Sequence, residues 1–270
     1  MDLTLVIFDT ETAALRGPPH MLELGAVRAS GGEIVDRFEA LVRPEVPIDP
    51  RASEIHGITP DMVADAEPPA EVLARFTAWV GGDALAAHNA ELDARVLAFE
   101  CARARLDPPL GWLIDTLRLS RKLIPEAPDH KLETLCECLE LEEGAHHRAL
   151  PDAVWCWKVL EACVERMDPR PVSVAQLVQA AGGTTTIAAC APRVRALLKA
   201  RHRPLERACQ TRDRVTLVYG DGESAPVPLS VLPRVLYDLG ERSYLEAECI
   251  ASGTIKTYRL DRVHKVLTSS

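Results

Sequence analysis

The stretch Leu3–Phe8 is a run of mostly β-favouring apolar residues that stops abruptly at Asp9-Thr10-Glu11. Such a run reads as a central strand of a sheet. Asp9 and Glu11 are two residues apart, so both side chains leave the same face of the strand end. Neighbouring carboxylates raise each other's pKa unless a cation sits between them. Oxygen ligands of this kind suit a hard divalent ion. Taken alone, the pair is more often a solvated strand terminus than a site.

The residues that follow predict how this strand is covered. Leu22–Ala29 and Glu33–Val42, separated by Gly31-Gly32, read as two further strands of an antiparallel meander. From Pro60 a helical period takes over, and Ala70–Val80 places Val72, Leu73, Phe76 and Val80 on one face. Asp83–Ala87 is a short strand, Leu92–Arg105 a helix, and Leu132–Leu141 and Pro151–Arg166 amphipathic helices. Three strands, then helix, strand and more helices predict an α/β domain with a mixed sheet and flanking helices.

Two more carboxylates occupy comparable positions. His88-Asn89-Ala90-Glu91-Leu92-Asp93 leaves a strand and puts Asp93 in the first turn of a helix. His147-Arg148-Ala149-Leu150-Pro151-Asp152 does the same for Asp152, with Pro151 suited to a first turn and His147 in the preceding loop. An acid at a helix start has an ordinary explanation in the helix dipole, and a lone histidine is usually a surface or satisfied core residue. Together, four acids and a histidine at strand ends and helix starts can converge on one sheet edge. There they could hold two metals astride a phosphate, with a neutral histidine to take a proton from water.

FDTET at 8–12, HNAELD at 88–93 and HRALPD at 147–152, in this order, resemble the DEDDh family of 3′–5′ exonucleases, which includes polymerase proofreading subunits and RNase T. Ile55-His56-Gly57-Ile58-Thr59 and Ile114-Asp115-Thr116-Leu117 match further family segments. The resemblance covers roughly residues 3–165. It implies an RNase H-like fold and release of mononucleotides from 3′ ends. By position, Asp9, Glu11, Asp93 and Asp152 become ligands of two Mg²⁺ or Mn²⁺ ions, and His147 the general base. Thr12, His56 and Asn89 fall near the terminal nucleotide, although His56 is equally a loop-packing residue. His146 is a rival base, but His147 has the required spacing to Asp152. Where the family commonly has Thr-Thr-Gly-Leu, this chain has Thr12-Ala13-Ala14-Leu15, which bears on substrate preference.

The net charge of −9 argues at first against a nucleic-acid partner. Its distribution reverses that. Residues 1–166 carry 16 basic against 30 acidic residues, and the remainder 15 against 10. Arg193–Arg214 alone holds eight basic and two acidic residues. An acidic half joined to a basic half predicts two modules: an exonuclease domain over 1–166, a linker with a basic helical segment over 167–204, and a small β module over 205–270. The basic helix is expected from Val194–Lys199 towards Gln210, and strands at Val215–Tyr219, Ser243–Ile250 and Thr254–Leu260, with a Gly220-Asp221-Gly222 turn after the first.

The last module resembles a WYL domain, an SH3-like β-barrel, through Val215–Tyr219, Pro233, Tyr244-Leu245 and Tyr258–Val263. Ser243 stands where that family has its name-giving tryptophan, and Leu229 where an arginine is frequent. The resemblance implies sensing of nucleotides or nucleic acid, with Tyr219, Tyr244, Arg259 and Arg262 as candidates; barrel packing is the competing role for the tyrosines. Phosphate-backbone contact by the basic stretch would depend on salt and be largely blind to sequence.

Eight cysteines without a CxxC pair read as reduced thiols, Cys136 and Cys138 being too few for a structural zinc. No export signal or membrane span is recognised, so a cytoplasmic setting is expected. The expected activity is a metal-dependent 3′–5′ exonuclease on single-stranded nucleic acid, DNA favoured. The alternatives are an exoribonuclease and a non-catalytic nucleic-acid regulator, the latter disfavoured because all four carboxylates remain.

Overall fold

A computed structural model describes residues 3–141, 147–183, 185–195, 197–220 and 225–268. By its contacts the chain divides into two units, one of residues 1–101 and 107–190, the other of 102–106 and 191–270.

The first unit opens with β1 (Leu5–Thr12), β2 (Met21–Ser30) and β3 (Glu33–Leu41), followed by α1 (Pro50–His56), α2 (Pro60–Val63) and α3 (Pro69–Val80). Next come β4 (Ala84–Ala87), α4 (Glu91–Ala104), β5 (Leu113–Asp115), α5 (Thr116–Leu123), α6 (Leu132–Cys138), α7 (Ala149–Glu165) and α8 (Val174–Ala180). The sheet order is β3-β2-β1-β4-β5, with β1–β3 antiparallel and β4 and β5 parallel to β1. This is the expected mixed sheet of an RNase H-like α/β fold. The central strand runs further than its apolar stretch, to Thr12, so Asp9 and Glu11 lie within the pairing to β2.

Both faces of β1 are covered, which is why Leu5–Phe8 is apolar without alternation. Leu5 and Ile7 meet Trp157, Leu160 and Cys163 of α7 in one core. On the opposite face Phe8 approaches Phe76 of α3, with ring centroids 6.2 Å apart. The four α3 residues expected on one face are all buried. Asp9 and Glu11 continue the alternation of Leu5 and Ile7, so they face the side on which α7 begins. Glycine is required opposite Asp9: a Cβ on Gly25 would fall on the backbone of Ala149 and Leu150, where α7 starts.

The second unit adds α9 (Pro204–Thr211), β6 (Val215–Tyr219), β7 (Val227–Leu239), β8 (Arg242–Cys249), β9 (Thr254–Arg259) and β10 (Val263–Thr268). The strands form one antiparallel sheet in the order β10-β6-β7-β8-β9, around a core including Leu205, Leu217, Val231, Leu245 and Tyr258. The expected closed barrel is not what the backbone pairing gives: β10 and β9 are its two edges, so the sheet is open. Sequence reading overlooked β7 and β10. In β7 the ladder shifts register between Pro233 and Val235, the local bulge that lets a proline sit in an interior strand.

The helix expected from Val194 is also corrected. The described residues of 193–199 have no helical structure, and α9 begins at Pro204. The backbone bonds that a helix would have used go to β7: Asp238 donates its N–H to the Arg193 carbonyl (3.2 Å), and its carboxylate accepts from Arg195 N (2.8 Å). Residues 221 and 222 of the expected turn after β6 lie outside the described residues. The eight cysteines form no disulfide, and no described helix is long and apolar enough to cross a membrane.

Candidate active site

Three carboxylates come together where β1 passes beneath the start of α7. Oxygens of Asp9, Glu11 and Asp152 all lie within 4.8 Å of one another, a grouping that could hold a metal ion. β1 supplies the first two from one face, and the first turn of α7 the third. Asp93, in the first turn of α4, is buried, and its Oδ1 accepts from Thr10 N (2.9 Å) and Thr10 Oγ1 (2.7 Å). Those bonds fix α4 to β1 between the two β1 acids and leave the other Asp93 oxygen clear of Thr10.

The electrostatics show how crowded the acids are. The Asp9 carboxyl is held well above its ordinary range by burial first, then by Asp93, Asp152, Glu11 and Glu23. Glu11 is pushed up to about 8, again mainly by burial and then by Asp152, Glu23 and Asp93, with Arg148 opposing. Asp93 rises to about 7 through burial, although the Thr10 bonds pull it down. A site that raises its acids in this way favours the uptake of positive charge.

His147 is exposed in the loop before α7, with a left-handed backbone (φ 61°). It lies close enough to His56 to lower that residue's basicity, after the larger effect of burial. His56, at the end of α1, accepts at Nδ1 from Ile58 N (3.0 Å), and its buried Nε2 lies by the Thr12 backbone without a well-formed hydrogen bond among the described residues. Thr12 lies at the end of β1, its Oγ1 donating to the Ala14 carbonyl (3.3 Å). Asn89 turns the chain into α4 with φ 61° and accepts from Leu92 N (3.0 Å). The rival base His146 lies outside the described residues.

Glu23 and Arg148 went unnoticed in the sequence. Glu23 is fully buried on β2, directly opposite Glu11, and is paired with Arg148 and the backbone N–H of Ala149. The signal was present: Glu23 is the one charged residue in the apolar run Met21–Val27.

In the second unit, Tyr219, Tyr244 and Arg259 form one neighbourhood. Tyr244 pairs with Arg259 across β8 and β9, and Tyr219 Oη accepts from Arg259 N (3.3 Å). The Arg259 side chain is engaged by Asp261 (Nε–Oδ1 3.0 Å), while Tyr244 stacks on Tyr237 at 5.5 Å between centroids. Arg262 touches this group through its backbone, its carbonyl accepting from Gly220 N (3.1 Å). Elsewhere in the unit a cleft of about 750 Å³ presents Arg105, Arg193 and Arg234 over a floor including Leu198, Val235 and Leu236.

Known proteins match both parts of the chain. The family model for exonucleases of the RNase T type matches residues 6–160, and that for the WYL domain matches residues 201–267. PolC-type DNA polymerase III of Oceanobacillus iheyensis is 41% identical over 168 residues, covering 60% of this chain and 12% of that protein. The Bacillus subtilis protein of the same name is 40% identical over 151 residues, covering 55% of this chain and 10% of that protein. The chain thus spans about a tenth of the length of these polymerases. Among solved structures, exonuclease X in complex with 5′ overhanging duplex DNA is 30% identical, with a TM-score of 0.52 over 66% of this chain and 99% of that one. Exonuclease I, 18% identical, shares the fold over 91% of this chain and 55% of that one, with a TM-score of 0.57. The chain belongs to the exonuclease family and carries a WYL domain in its C-terminal part.

Proposed function

We propose that this 3′–5′ exonuclease releases nucleoside 5′-monophosphates from single-stranded nucleic acid, DNA in preference to RNA, with two Mg²⁺ or Mn²⁺ ions. The observation that carries the reading is the Asp9–Glu11–Asp152 grouping, with Asp93 beside Asp9. Its donors are hard carboxylate oxygens that burden one another with negative charge, a set suited to such ions. When bound, the metals would stabilise the attacking and leaving oxygens of an in-line displacement.

The chain's own residues supply the rest. His147 takes a proton from the attacking water as its oxygen bonds to phosphorus. The bond from phosphorus to the 3′ oxygen of the preceding nucleotide breaks, and that oxygen takes a proton from solvent, leaving a 3′-hydroxyl on the shortened strand. His56, whose buried Nε2 lies by the Thr12 backbone, supports the segment that meets the terminal nucleotide, alongside the backbone at Thr12 and Asn89. The DNA preference is supported by the DNA polymerases and the DNA-bound exonuclease X to which the chain is similar.

For the second unit we propose contact with the phosphate backbone or a nucleotide. Its support is the surplus of arginines at the cleft and the Tyr219–Tyr244–Arg259 neighbourhood. The first unit, with α8 packed in its core, then acts as the catalytic domain, and the second unit, which includes Arg105 and Arg193, as the binding module.

The test is digestion of matched DNA and RNA strands, each blocked at the 5′ or the 3′ end, with Mg²⁺ or Mn²⁺ and with excess EDTA. Metal-dependent shortening of DNA that a 3′ block prevents is expected. Undiminished activity in EDTA would reject the metal reading, and faster loss of RNA the DNA preference.

A further inference from the structure

We infer that Glu23 is a positioning residue for hydrolysis, holding the loop that presents His147 by way of Arg148 and Ala149. The inference rests on the reading of His147 as the base. Glu23 is fully buried on β2, and its carboxylate is committed on two sides. Oε1 and Oε2 both accept from Arg148 Nε at 3.0 Å, and Oε2 also accepts from Ala149 N at 2.9 Å. The two residues that follow His147 are therefore tied to a strand and not to solvent. Charge-assisted bonds to a buried carboxylate are among the stronger ones a loop can make.

Two further features give that tie a purpose. His147 itself has φ 61°, a conformation unfavourable for a residue with a side chain, and such strain persists where neighbours over-determine it. Immediately after the anchor, α7 starts in backbone contact with Gly25 and carries Asp152 into the metal grouping. β2 thus grips the chain between base and metal ligand. Glu23 also lies directly opposite Glu11, and the Arg148 guanidinium that pairs with it opposes the acidic crowd there. Arg148 meets that charge and at the same time fixes the residue next to His147.

The experiment is a double-mutant cycle in the full chain, with kcat and KM measured on a 5′-labelled DNA strand in Mn²⁺. Glu23→Gln keeps an acceptor for Ala149 N but removes the charge that Arg148 answers. Arg148→Ala removes the same pair from its more exposed end, and serves if Glu23→Gln fails to fold, as judged by thermal melting. Each is expected to lower kcat on the order of 10- to 100-fold with KM changed less than about threefold. In a His147→Ala background neither is expected to lower kcat further, because the residue they position is gone. Wild-type kcat in both single variants, or the same fold-loss with and without His147, would overturn the inference. His147→Ala at full kcat would instead remove the base reading, and with it this inference, a result separable from the other two.

Discussion

Glu246 in the second unit and Asp93 in the first are both buried carboxylates, and their surroundings answer the charge differently. Glu246 meets Arg103, buried like itself, through two parallel bonds of 2.6 and 2.9 Å. Asp93 sits among Asp9, Glu11 and Asp152 and is helped by the hydroxyl and amide of Thr10. One charge is matched from within the chain. The other group holds several negative charges together and leaves the balance to an incoming cation. Glu23, beside the acidic group but bonded to Arg148, shows that the chain could have supplied an arginine there too. On the proposed reading, the contrast separates carboxylates that serve packing from those that serve chemistry.

The difference between the two carboxylates is tested most directly at Asp9. Asp9→Ala should lower metal-dependent release of mononucleotides roughly 10³-fold or more, because several kcal/mol of charge stabilisation go with it. At the same time it should raise the melting temperature of the metal-free protein, since a repelling charge is removed. A lower melting temperature would mean that Asp9 stabilises the fold.

Glu246→Ala should do the reverse. Removing one partner of a buried ion pair costs about 3–5 kcal/mol of stability, read as a lower denaturant midpoint, while kcat of the folded enzyme stays near wild type.

A third test uses pH. The unfolded Glu11 titrates near 4.5 and the folded one near 8, so the folded state binds the extra proton between those values. The contribution of Glu11 to the stability of the metal-free protein is therefore fully present below about pH 4.5 and is lost as pH rises towards about 8. Excess Mn²⁺ should flatten that fall in a melting series, since the metal replaces the proton. Equal slopes with and without metal would break the link between raised pKa and cation binding. The smallest expected effect is that of Arg193→Glu in the cleft, which should weaken strand binding and reduce the slope of log affinity against log salt by about one.

Much of this contrast could be read from the residues alone. The four candidate acids are visible in the sequence because each stands where an apolar run ends or a helix begins. The α3 face was visible because Val72, Leu73, Phe76 and Val80 keep the helical period. What escaped depended on distant partners. Residues 193–199 have a helical composition, but Asp238 takes their backbone bonds. Strand β7 is hidden by Pro228, which lies where β6 alone pairs with it, and by Pro233, which its register shift tolerates. Glu23 was passed over as one acid in a strand, because nothing local says that Arg148, 125 residues later, will answer it.

Gly25 sets a dimension of the candidate site. It stands across from Asp9, and the backbone at the start of α7 rests where its side chain would be. One methyl group there would wedge strand and helix apart, and with them the carboxylates of Asp9 and Asp152. The bite of the candidate metal site is thus gauged by a residue that carries no chemistry at all, like a shim left out so that two jaws can close.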